Sequence, residues 1–118
     1  MNETNAEKIK KFLFDMKQAC QKISDFTQDK TFENYGQEPM LRSAVERQFE
    51  ILGEALNLLQ KIAPDLVASI PEYRKIIAFR NRLIHGYANV SNEVVRGVME
   101  HSLPLLRPVI DDLLLQKK

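Results

Sequence analysis

Apolar residues recur at steps of three and four along most of this chain. From about Asn5 to Gln28 they fall at Ile9, Phe12, Leu13, Met16, Cys20, Ile23 and Phe26, the repeat of one face of an amphipathic helix. Asp29 to Pro39, with Gly36 and Pro39, reads as a polar connector. A second helix over Leu41 to Ile62 carries Val45, Phe49, Leu52, Leu56, Leu59 and Ile62. Pro64 ends it, because the residue before a proline is pushed away from helical angles. A third helix is expected to begin near Pro71, a favoured first-turn position. The "SIPE" run has the Ser-x-x-Glu spacing of a capping box, Ser69 to Glu72. Its apolar face is Tyr73, Ile76, Ile77, Leu83 and Ile84, and Gly86 closes it. After a short turn at Asn89 to Ser91, Ser91 or Asn92 caps a fourth helix. That helix bears Val94, Val95, Val98, Met99, Leu103, Leu106, Val109, Ile110, Leu113 and Leu114. Pro104 and Pro108 within it predict a kink or restart near 102–104. No stretch alternates apolar and polar residues at period two. The pattern predicts one all-α domain over residues 1–118, an antiparallel bundle of four to five helices with the last kinked near Pro104.

Composition narrows the partners. With 44% hydrophobic and 28% charged residues the chain reads as an ordinary globular protein. A net charge of +1 leaves no global field to draw it onto nucleic acid, so any anion site must be a local patch. The single cysteine, Cys20, cannot form an internal disulfide, which fits a reducing cytosol. Cys20 and the methionines at helical spacing are expected in the core. Two histidines and one cysteine, far apart in sequence, do not suit a structural zinc site. No apolar run approaches the roughly 18 residues of a membrane span. The polar N-terminus lacks a signal-peptide core, so a cytoplasmic protein without membrane contact is expected.

Against that near-neutral background the third helix stands out. Between Pro71 and Tyr87 it holds Arg74, Lys75, Arg80, Arg82 and His85 against one acid, Glu72. Arginine offers a planar fork of donors suited to phosphate. Imidazole can take or give a proton near neutral pH. Tyrosine offers a face for a base and a hydroxyl. Together, without metal ligands, they are what metal-independent phosphodiester cleavage requires: a base for the RNA 2′-hydroxyl and a cation for the charged phosphorane. Arg80 and His85 are five positions apart, about 140° around a helix, and so do not share a face. Either the helix unwinds near His85, or two copies face each other across a twofold axis. Each residue alone also has a simpler role. Arg80 and Arg82 can be solvated on a helix face. His85 can sit favourably against the helix dipole, Tyr87 can pack with a wet hydroxyl, and His101 can be a surface residue. Glu54, in "ILGEALNLL", is either a boundary acid or a buried partner for an arginine.

The run "RNRLIHGY" resembles the Arg-x4-His-x-Tyr signature of the HepT branch of the HEPN superfamily, with Arg80, His85 and Tyr87 at the motif positions and Asn81 after the arginine. "AVERQFEILGEALNLL", "IPEYRKIIAFRNRLIHGYANV" and "HSLPLLRPVI" resemble the family's second, third and last helices, so the likeness spans roughly residues 40 to 110. Tyr73 stands where the family usually has Trp, and Ala88 where an aromatic is common. The resemblance implies an all-α homodimer whose motifs meet at an interface cleft, acting as a metal-independent endoribonuclease toxin on RNA without a cofactor. It also implies an MntA-like minimal nucleotidyltransferase antitoxin that transfers AMP to the motif tyrosine. On this reading Arg80 stabilises the phosphate, His85 is the general acid or base, and Asn81 orients the site. Arg82 and Glu54 are supporting or substrate-contacting positions, and Tyr87 is the modified residue. The alternative is a non-catalytic subunit that binds nucleotide or substrate for a minimal nucleotidyltransferase.

Overall fold

The computed structural model describes residues 4–86 and 90–117, and every regular element among them is helical. Helix α1 (Asn5–Thr27) starts at a capping box. Thr4 Oγ1 accepts from the Glu7 N–H at 3.1 Å, and Glu7 Oε2 accepts from the Thr4 N–H at 3.2 Å. The segment expected as a polar connector holds a helix of its own, α2 (Phe32–Gln37). Thr31 and Asn34 cap it reciprocally, and the buried Tyr35 anchors it to the bundle. One and a half turns with one buried side chain are too short to show a period. Helix α3 (Pro39–Ile62) follows with proline in its first turn. Beyond Pro64 the chain makes a further short helix, α4 (Pro64–Ala68), seated by the buried Val67.

Helix α5 (Tyr73–His85) begins two residues later than expected, and the Ser69–Glu72 capping box does not form. Ser69 Oγ instead donates to the Leu66 carbonyl at 2.6 Å, closing α4. Glu72 takes a left-handed conformation, φ 67°, uncommon for a residue with a side chain. Its carboxylate accepts from the buried Ser102 hydroxyl at 3.1 Å, which ties the start of α5 to the last helical arm.

That arm is α6 (Asn92–Gly97), a π-helical turn (Val98–Ser102) and α7 (Leu103–Gln116) in unbroken succession. Ser91 Oγ caps α6 by accepting from the Val94 N–H at 3.2 Å. The π turn has a cause in the sequence. Pro104 has no N–H and its ring crowds the carbonyl four residues back. The helix widens ahead of it, and the Leu103 N–H bonds to the Val98 carbonyl, five residues back. The break predicted near 102–104 is this change of helical period. His101, within it, is exposed.

Long helices α1, α3, α5 and the α6–α7 arm build the bundle. Contacts of α1 with α7 run antiparallel, from Lys17 with Asp111 to Gln21, whose Oε1 accepts from Arg107. The core closes on Leu13, Met16, Phe49, Leu52, Leu56, Ile76, Leu106 and Ile110, each fully buried. Cys20 is buried too, and burial pushes its thiol up to about 12. Three apolar residues expected inside lie outside: Met40 is 87% exposed, Ile84 42% and Phe26 36%. Met40 sits in the first turn of α3, where no helix covers it. Ile84 lies on the α5 face that opens onto the groove described below. Among the described residues no helix is long and apolar enough to cross a membrane.

Candidate active site

Helices α3 and α5 meet where the chain has a glycine. A Cβ at Gly53 would overlap Arg80 Cβ, lie 2.8 Å from Arg80 Cγ and lie 3.2 Å from the Ile76 carbonyl oxygen. The stem of Arg80 therefore rests in the space that any other residue at 53 would fill. Four residues earlier, Phe49 packs edge-on against Phe79 with ring centroids 5.1 Å apart at 79°. Glycine and aromatic pair together fix the height and rotation at which α5 presents Arg80.

The guanidinium is held from two sides. Glu54 Oε2 forms an ion pair with Arg80 Nη2. Asn81 Oδ1 accepts from Arg80 Nη1 at 2.9 Å. The Arg80 side chain is 21% exposed and that of Glu54 43%, so the pair sits at a rim rather than in the core. Of the two readings of Glu54, the arginine partner is the one observed, though half-exposed. Arg80 opens onto a groove of about 240 Å³ between α1, α3 and α5. Its walls carry Phe12, Ile51, Leu58 and Ile84, and its charges are Asp15, Arg47, Glu50, Glu54 and Arg80.

Sequence reasoning missed Asp15, Arg47 and Glu50. A signal for two of them was present: Arg47, Glu50, Glu54 and Leu58 are spaced at three and four, one row along α3. Asp15 comes from another helix and had no local cue. Just before this row, burial and then the charge of Glu50 raise the Glu46 carboxyl above its usual range, with Arg42 opposing. A carboxyl whose folded pKa lies above its unfolded one binds more protons when folded, so its contribution to stability falls as pH rises through that interval. Glu46→Gln is therefore expected to melt higher than the parent at pH 7. The difference should vanish once the pH is below the ordinary carboxylate range, where both side chains are neutral. Melting curves at the two pH values check this.

The other motif residues lie elsewhere. Helix α5 stays regular through His85, and only Gly86, at φ 62°, leaves it. Unwinding at His85 is thus not what the chain does. His85 and Arg82 are exposed in the last turn, and neither lines the groove. Within one chain Arg80, Asn81 and Glu54 come together, while His85 projects about 140° away from Arg80. Tyr87 lies outside the described residues. Among the described residues no three His, Cys, Asp or Glu side chains are grouped to hold a metal ion.

The sequence profile described as ribonuclease HepT-like matches residues 16–113. The chain belongs to this family. A protein of Thermococcus cleftensis assigned as ribonuclease HepT is 31% identical, over 83% of this chain and 88% of its own. Two proteins of Methanocaldococcus jannaschii assigned as RNases are similar as well. One is 28% identical over 81% of this chain and 78% of its own, the other 24% identical over 87% and 94%. No solved structure matches. Membership of this ribonuclease HepT-like family agrees with the resemblance seen in the α3, α5 and α7 segments. In this HepT-like chain the matched region takes in α3 and α5 whole and α7 as far as residue 113, with Gly53, Glu54, Arg80 and His85 all inside it.

Proposed function

We propose that the chain is a metal-independent endoribonuclease toxin that cuts RNA at a site composed across a homodimer interface. The observation that carries this reading is the held guanidinium of Arg80 at an open groove, on the helix that ends in His85. One chain separates the two by about 140°, so a twofold partner supplies what a single copy lacks. His85 takes the proton from the RNA 2′-hydroxyl, whose oxygen bonds to phosphorus. The phosphorus–O5′ bond breaks, and the proton goes to the leaving oxygen. Arg80 stabilises the charge that builds on the phosphorane oxygens. Asn81 orients the guanidinium, and Arg82 contributes a backbone phosphate contact.

Regulation in this proposal comes from a minimal nucleotidyltransferase antitoxin of the MntA kind, which transfers AMP to the Tyr87 hydroxyl. Tyr87 is two residues past His85, so an added nucleotide there would crowd the same end of α5.

The groove's charge balance favours a second reading. Three carboxylates, Asp15, Glu50 and Glu54, face two arginines, Arg47 and Arg80. A long polyanion usually meets many cations, whereas such a groove suits one small phosphate. The chain would then be a non-catalytic nucleotide-binding subunit of a nucleotidyltransferase.

The test is RNA cleavage in EDTA by wild-type protein shown by intact mass to carry no AMP, against His85→Ala. Cleavage that falls by about 10²–10⁴-fold in the variant is expected for loss of a general acid or base. Unmodified wild type that cuts none of a broad RNA panel would instead favour the binding subunit.

A further inference from the structure

The arrangement of Arg80 raises a question that its charge alone does not answer. An arginine on a helix rim is long and flexible, yet this one is gripped at both ends. Its stem lies in the gap left by Gly53. Its head is tied through Nη2 to Glu54 and through Nη1 to Asn81. Asn81 takes one of the five guanidinium N–H donors in a hydrogen bond and Nη2 faces the Glu54 carboxylate as an ion pair, so the fork still has donors for a ligand at the groove. Glu54 also offsets the arginine's charge, so it works against binding of an anion there. A carboxylate that weakens attraction for phosphate yet sits on the phosphate-binding group has a use if what it provides is orientation.

We infer that Gly53 and Glu54 are positioning residues of the Arg80 site: the glycine sets the depth of the arginine's stem, and the carboxylate sets the rotation of its fork. This rests on the reading of Arg80 as the group that meets the scissile phosphate. It assigns Glu54 no contact with substrate. It separates two quantities that a simple cationic patch would move together. Removing the carboxylate's charge loosens the fork, so turnover falls. It also unmasks a positive charge, so RNA is held as well as before or better.

Glu54→Gln tests this, because it keeps size and an acceptor oxygen but loses the charge, at a side chain exposed enough to be replaced without unfolding. Two readouts are needed. The first is the 15N spectrum of the arginine side chains, with the Arg80 signals assigned by their loss in Arg80→Lys. Hindered rotation in wild type gives separate Nη signals, and these are expected to merge in Glu54→Gln. The second is cleavage: kcat is expected to fall about 10–100-fold, as for a misplaced catalytic group, with KM unchanged or lower. Gly53→Ala reaches the same end by displacing the stem with no change of charge, and is expected to lower kcat similarly with KM unchanged. Nη signals that stay separate in Glu54→Gln would overturn the clamp. Merged signals with kcat within about twofold of wild type would overturn its role in turnover while leaving the nuclease standing. A wild type with separate signals that cuts no RNA would remove the nuclease reading, and the role in turnover with it, while the clamp remained.

Discussion

Arg80→Ala is expected to slow RNA cleavage by about 10²–10³-fold, the usual cost of deleting one preorganised donor to a developing oxyanion. The fold should survive. Arg80 lies at a rim, its ion pair with Glu54 is part-exposed, and pairs of that kind contribute only about 0–1 kcal/mol. Water can solvate the carboxylate left behind. Arg80→Lys separates charge from shape. It keeps the cation but not the planar fork, and lysine cannot engage Glu54, Asn81 and a phosphate at once with the same geometry. Its cleavage should lie between wild type and alanine. Single-turnover rates on an RNA that wild type cuts, beside a melting curve for each variant, provide the check. Wild-type cleavage by Arg80→Ala would remove the arginine from the chemistry and leave it a solvated helix residue.

How far this site could be read in advance varies residue by residue. The long helices were legible because a buried face repeats at three and four whatever it packs against. Helix α2 was not, since Tyr35 is its one buried side chain and one residue has no period. Three Thr/Ser-x-x-Glu spacings occur in the chain, at Thr4, Ser43 and Ser69, and only Thr4–Glu7 forms a capping box, Ser43 lying inside α3. At Ser69–Glu72 the hydroxyl closes the preceding helix and the carboxylate reaches Ser102, thirty residues away, a competition that no local spacing reveals. The motif itself named Arg80, Asn81 and His85, and Glu54 was recognisable as an arginine's partner. The groove around them was hidden, because Asp15 and Arg47 join it only through the packing of α1 and α3. Gly53 carried the least warning. A glycine inside a helix weakens it by about 1 kcal/mol relative to alanine, and only the depth of Arg80 against it shows why the position needs no side chain.

The largest loss of stability is expected at Phe49. It is fully buried and meets Phe79 edge-on, so Phe49→Ala removes a ring from the α3–α5 contact and leaves a cavity. A change of this kind costs about 3–5 kcal/mol, a large share of the roughly 5–15 kcal/mol that holds a typical domain. For a chain of 118 residues that corresponds to a fall in Tm of roughly 12–20 °C. The consequence should extend beyond melting. Phe79 immediately precedes Arg80, and Phe49 lies one turn before Gly53, so the same packing that holds α5 down also sets the arginine's position. Well below its melting transition, Phe49→Ala should still cut RNA more slowly than wild type. Ile110→Ala is the control. It is just as buried, but on α7, which packs against α1, and it should lower Tm by a comparable amount while leaving cleavage by the folded fraction intact. Melting by circular dichroism and cleavage at low temperature, measured on both variants, decide the matter. Equal losses of cleavage would mean that general stability, and not the α3–α5 contact, governs the site. A selective loss at Phe49 would show that this part of the core is also the mount of the active arginine.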